Sequence, residues 1–148
     1  MKRDPALASL SRDHHKALVV AQKLRRATGG TAGQSRAALL RYWEAHGSRH
    51  FRLEEEVLLP AYAGYGDPHH PLVVRALCDH LAIRHGVSRL AGSPATVTQL
   101  QQLGALLADH IRLEERQLFP LIERVMPAKQ LVAVAAHLEQ AERTRTHG

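Results

Sequence analysis

Cysteine is almost missing from this chain. Cys78 is the one thiol in 148 residues, which excludes an internal disulfide framework and fits a reducing compartment. Aromatic residues are nearly as scarce, at 4%, with two Phe and one Trp. The apolar content is therefore mostly Leu, Ala and Val, a composition that favours helices over a β-sandwich. No apolar run approaches the ~20 residues that a membrane-spanning helix needs. Met1-Lys2-Arg3-Asp4-Pro5 leads into no signal-peptide core, so a cytoplasmic address is expected. Against these absences stand eleven histidines.

The formal net charge is +6. Such an excess can serve nucleic acid or an anionic membrane. Here the arginines are spread along the whole chain, form no dense block and do not interleave with aromatics, so neither partner is expected.

Turn-forming stretches divide the chain at Thr28 to Gly33, at Gly64 to Pro71, at Gly92 to Thr96 and at Met126-Pro127. Between them the apolar residues recur at helical spacing. The first segment carries Leu7, Leu10, His14, Ala17, Leu18, Ala21 and Leu24 on one stripe, and the second Leu39, Trp43, His46, His50, Glu54, Val57 and Leu58. The third carries Val73, Leu77, His80, Val87 and Leu90, and the fourth Leu100, Leu103, Leu107, His110, Glu114, Leu118 and Leu121. The expectation is one all-α domain over residues 1–148: an antiparallel up-and-down four-helix bundle over about 5–126, with a short C-terminal fifth helix over about 128–143. Cys78 is expected to be a small buried apolar residue.

Every stripe holds a histidine and two hold a glutamate, which is wrong for a plain core because an unpaired buried carboxylate costs several kcal/mol. Part of the pattern is an internal repeat. His50-Phe51-Arg52-Leu53-Glu54-Glu55-Glu56-Val57-Leu58-Leu59-Pro60 aligns with His110-Ile111-Arg112-Leu113-Glu114-Glu115-Arg116-Gln117-Leu118-Phe119-Pro120. A His and a Glu four residues apart lie ~40° apart on a helix, one turn above the other, so both can face one point. Asp13-His14 and Asp79-His80 form a shorter echo. Four histidines and two carboxylates from four helices suit iron, manganese or zinc, and two carboxylates can bridge a pair of cations.

With these motifs the chain resembles the hemerythrin-like proteins, whose domain has the order His, His-x3-Glu, His, His-x3-Glu. The likeness spans about residues 7–126. It implies two iron ions, with Mn or Zn as substitutes, held by His14, His50, Glu54, His80, His110 and Glu114. It further implies a protein that binds or reacts with O2, NO or peroxide as its small-molecule ligand. A peroxide-consuming, catalase-like enzyme and an iron- or oxygen-sensing module are the alternatives. The oxygen-carrying members have a second histidine four residues after the helix-three histidine, where this chain has Arg84, and an aspartate five residues after the helix-four histidine, whereas Glu114 comes at four. Arginine cannot ligate, so an open coordination position in an arginine-lined pocket is expected.

His15 lies ~100° round the helix from His14 and is the weaker ligand. His85 is the strongest candidate for a seventh ligand. His46 is expected to pack near Trp43, His69 and His70 to face solvent, and Glu55 and Glu115 to support ligands or face solvent. Tyr42 and Trp43 are expected in the core beside the site.

Overall fold

The computed structural model describes residues 2–146. Among them there is no β-strand, and five helices account for the regular structure apart from one opening turn. That turn, Pro5–Leu7, begins where the Asp4 carboxylate accepts a hydrogen bond from the Ala6 N–H (2.9 Å), with proline at the first position, where no amide hydrogen is needed. Helix α1 spans Ala8–Arg25. Helix α2 covers 32–63 and helix α4 covers 97–125, each broken internally by widened turns. Helix α3 is Pro71–Gly92, capped by His70, whose Nδ1 accepts from the Leu72 N–H at 3.1 Å. A reciprocal pair, Thr96 with Gln99, starts α4. Met126 takes an extended conformation ahead of Pro127, which ends α4.

Helix α5, Ala128–Thr146, has 19 residues, so it runs past the expected end near 143 and is longer than α1. Leu131, Val134 and Leu138, at helical spacing, seat it on one end of the assembly. No described helix is long and apolar enough to cross a membrane.

Two apolar clusters make the core. The first joins Leu7, Leu10, Leu58, Val73, Ala76, Phe119 and Ile122 with the α5 residues. The second joins Ala17, Leu24, Leu39, Phe51, Ile83, Val87, Leu100 and Leu107. Along each of the first four helices one cluster gives way to the other near the buried histidine, so a polar layer divides the core.

The third stripe differs from its expected composition. Val73, Ala76, His80, Ile83, Val87 and Leu90 point inward, while Leu77 is 41% exposed. A step from Ala76 to Leu77 rotates a side chain by ~100°, onto a second, outward apolar face with Val74 and Leu81. Cys78 shares that face and is exposed, which corrects its expected burial.

At Gly104 α4 approaches α1 closely. A Cβ there would stand 2.7 Å from Leu24 Cβ, 2.8 Å from the Ala21 carbonyl oxygen and 2.9 Å from the Arg25 nitrogen. Two of those atoms are backbone and cannot rotate away. Gly104→Ala should therefore force the helices apart and lower the unfolding free energy by about 1–3 kcal/mol, read as a fall in Tm.

Candidate metal centre

The polar layer collects all six residues picked from the sequence. Each is no more than 3% exposed, and Glu114 is wholly buried. Their ligating atoms form two overlapping groups: His14, His50, Glu54 and Glu114 in one, and Glu54, His80, His110 and Glu114 in the other. Within each group the atoms lie within 4.8 Å of one another. The two glutamates, opposite each other from α2 and α4, belong to both.

The imidazole Nε2 atoms all turn inward. His14 Nε2 is 2.9 Å from Glu114 Oε1 and 3.1 Å from His50 Nε2. His80 Nε2 lies 3.1 Å from Glu54 Oε1, and His110 Nε2 lies 3.3 Å from Glu114 Oε1. The last two approaches are close without being satisfied hydrogen bonds. Both oxygens of Glu54, Oε2 of Glu114, and Nε2 of His80 and of His110 are buried with no hydrogen-bond partner. A buried polar atom left unpaired costs about 1–3 kcal/mol. Five such atoms converging in one layer, each a nitrogen or oxygen donor to a cation, fit a metal centre.

The outward Nδ1 atoms are all engaged, and each meets a carboxylate. His50 Nδ1 donates to Asp13 (3.2 Å), His110 Nδ1 to Asp79 (3.2 Å), His14 Nδ1 to Glu115 (2.6 Å) and His80 Nδ1 to Glu55 (2.5 Å). An ionised carboxylate only accepts, so each Nδ1 carries a hydrogen, and each Nε2 is the atom that can offer a lone pair to a cation once it gives up its own proton. Glu55 and Glu115 thus support ligands, one of the two roles expected of them. Asp13 and Asp79 are functional residues that sequence reasoning left without a role. The signal was the repetition of the Asp-His dipeptide itself, where each aspartate serves the histidine of the following helix.

Arg84 does not line the gap between the glutamates. Its guanidinium forks onto Glu55, Nη1 to Oε2 at 2.8 Å and Nη2 to Oε1 at 3.0 Å, on the Nδ1 side of His80. Arg75 similarly reaches Asp79 at 3.1 Å. The expected arginine-lined pocket is corrected accordingly: the guanidinium prefers a bidentate carboxylate.

Burial opposes charge on the four imidazoles, yet the carboxylates overcome it. Glu54 and Asp13 raise His50 to about 10, Glu114 and Glu54 raise His80 to about 10, and Glu114 and Asp79 raise His110 to about 9. His14 is raised by Glu114 and Glu115. Burial also pushes the carboxylates up, but His110 holds Glu114 well below the ordinary range, and His14 brings Glu115 to about 2. The metal-free layer is therefore a set of imidazolium–carboxylate pairs. Glu114 sits among three of these imidazoles, His110, His14 and His80, which offset its burial.

Local backbone aims the glutamates. Glu54–Leu58 and Glu114–Leu118 are both π-helical, closed by N–H donation from Leu59 to the Glu54 carbonyl and from Phe119 to the Glu114 carbonyl. Pro60 and Pro120 follow directly. Proline lacks the amide that an α-turn requires, and a widened turn accommodates it inside a helix that continues. A third π stretch, Trp43–Gly47, has no counterpart in α4. Its extra residue puts Gly47 inward, where a Cβ would meet Trp43 at 2.7 Å, and turns His46 half outward, its ring 6.4 Å from that of Tyr42.

His15 and His85 are both exposed, and neither joins the two groups. His69 is exposed, while His70 is half-buried as the α3 cap. Tyr42 is buried and Trp43 half-buried; Trp43 meets Phe51 edge-on at 5.2 Å. Burial, together with the nearby carboxylates of Asp13, Glu54 and Glu114, raises the Tyr42 phenol above its ordinary value.

Among protein families, the hemerythrin HHE cation binding domain matches residues 6–122 of the chain. No curated protein and no solved structure matches the chain significantly.

The titration directions set a pH dependence for the metal-free protein. Histidines raised from 6.5 to about 9–10 contribute stability that is complete below 6.5 and is lost as pH climbs through 9–10. Glu114, lowered from 4.5, contributes above that value and loses its contribution as pH falls. Thermal melts of chelator-treated protein should show a clearly lower Tm at pH 10 than at pH 6. A Tm that rises between those values would contradict the paired layer.

Proposed function

The chain belongs to the hemerythrin HHE cation-binding domain family, and from that premise we propose that it is a non-haem di-iron protein that binds or reacts with O2, NO or peroxide. The observation that carries this reading is the pair of overlapping four-residue groups that share Glu54 and Glu114. In this reading His14 and His50 would hold one metal and His80 and His110 the other, with Glu54 and Glu114 available to both. Manganese or zinc fits the same donors as a substitute.

Those imidazoles and carboxylates would hold the metals, and iron held there would supply redox chemistry toward a small oxidant. The chain's own contributions are positional. The carboxylates on Nδ1 fix each ring and its tautomer. Phe51 stacks on His80 at 3.9 Å and Phe119 on His14 at 5.2 Å. With the two apolar clusters above and below, they keep water from the layer and limit access to small molecules.

The order in which the helices meet those clusters supports the up-and-down bundle. Helices α1 and α3 run from the first cluster to the second, and α2 and α4 run back. The lone exposed thiol supports a reducing, cytoplasmic setting.

Protein reconstituted with ferrous iron under argon should hold close to two metals per chain by elemental analysis. Glu54→Ala combined with Glu114→Ala should lose most of both, and retention of full metal by that variant would overturn the assignment. Admitting O2 or peroxide to the reduced, loaded protein should raise a near-ultraviolet absorption band. Sustained gas evolution from peroxide, over many turnovers per site, would favour the catalase-like alternative.

A further inference from the structure

The two halves of the centre match in their ligands but differ in how the outer glutamates are held. Glu55, which orients His80, is gripped by Arg84. Arg84 sits one helical turn after His80 on α3, so ligand and clamp share one rigid element. The equivalent position on α1, four residues after His14, is Leu18, which cannot grip a carboxylate.

The guanidinium for Glu115 comes instead from Arg3, on the non-helical segment ahead of the first turn. Arg3 Nη2 donates to the Glu115 carbonyl oxygen at 2.5 Å and lies 3.2 Å from Glu115 Oε2. Arg3 Nη1 donates to Glu123 Oε1 at 2.8 Å, and the Asp4 N–H donates to the same oxygen at 3.1 Å. The guanidinium also lies 5.4 Å from the centre of the Phe119 ring, which stacks on His14. Arg84 repeats this on the other side, 5.7 Å from the Phe51 ring that stacks on His80. One clamp of arginine, glutamate and phenylalanine is thus built twice. In one copy the arginine is part of a ligand-bearing helix; in the other it reaches in from an extended segment.

We propose that Arg3 is a positioning residue for the His14 half of the centre, so that docking of residues 2–4 on α4 sets the affinity of one metal separately from the other. The proposal rests on the two-metal reading above. Arg84 cannot leave Glu55 without displacing α3 or its own side chain from the Phe51 face. Arg3 has no helix beneath it, so residues 2–4 stay docked only through its contacts with Glu115 and Glu123 and the Asp4 N–H bond. When Arg3 leaves, the Glu115 side chain, already 30% exposed, loses its counter-charge and is free to turn to water. His14 then loses the partner that fixes its tautomer. Outer partners of this kind alter metal affinity by roughly ten- to a hundredfold.

The test is titration of the metal-free protein with cobalt(II), followed by visible absorption and by competition with a chelator. Wild type should take two ions. Arg3→Ala should weaken one of them roughly ten- to a hundredfold and leave the other unchanged, and Arg3→Lys should recover part of the loss. In a His14→Ala background, Arg3→Ala should leave the remaining ion untouched, while Arg84→Ala should weaken it. Glu123→Gln, which loosens Arg3 without removing it, should shift the same ion in the same direction if Arg3→Ala proves unstable by circular dichroism. Equal weakening of both ions, or wild-type affinities in Arg3→Ala and Glu123→Gln, would overturn the role of Arg3. A wild-type protein that takes fewer than two ions would instead bring down the two-metal reading beneath it.

Discussion

Glu54 and Glu114 are the least exposed charged residues of the polar layer, and keeping two carboxylates in an apolar interior is the constraint that organises the molecule. Each must be compensated, and the compensation is imidazole. Each imidazole in turn needs its second nitrogen satisfied, which brings in Asp13, Asp79, Glu55 and Glu115. Those four carboxylates lie nearer the surface and are balanced by Arg3, Arg75, Arg84 and the field of Arg49 and Lys16. Charge therefore alternates outward from the centre.

The internal repeat explains why neither half could form the layer by itself. Asp13 serves His50, and Asp79 serves His110, within the same half. Glu55 serves His80 and Glu115 serves His14, across the halves. Adjacent glutamates in each copy thus divide their work: Glu54 and Glu114 face inward, while Glu55 and Glu115 turn about 100° round the helix to a neighbouring helix. The π-helical stretch that begins at each inward glutamate recurs in both copies and lets Pro60 and Pro120 sit inside continuous helices.

Much of this was legible beforehand, because helical periodicity and a four-residue spacing are properties of one chain segment. The helical class, the turns near 28–33, 64–71 and 92–96, and all six inward residues follow from counting positions along the sequence. Two features of single helices escape periodicity. Leu77 and Cys78 were assigned inward because an apolar residue on an amphipathic helix defaults to the core, and α3 has a second apolar face. His46 was put in phase with His50 on the assumption of an unbroken α-helix, and the π stretch at Trp43–Gly47 shifts that phase.

The sequence by itself determined which residues could meet: the repeat, the stripe and the His-x3-Glu spacing depend only on helix geometry. Tertiary structure decided which partner each outward nitrogen received, and that Arg84 grips Glu55 while Arg3 crosses to Glu115. Those contacts join residues far apart in the chain, 112 positions in the case of Arg3 and Glu115. No periodicity encodes them; they are fixed only when helix packing brings each carboxylate within reach of the one ring nitrogen and the one guanidinium that still need it.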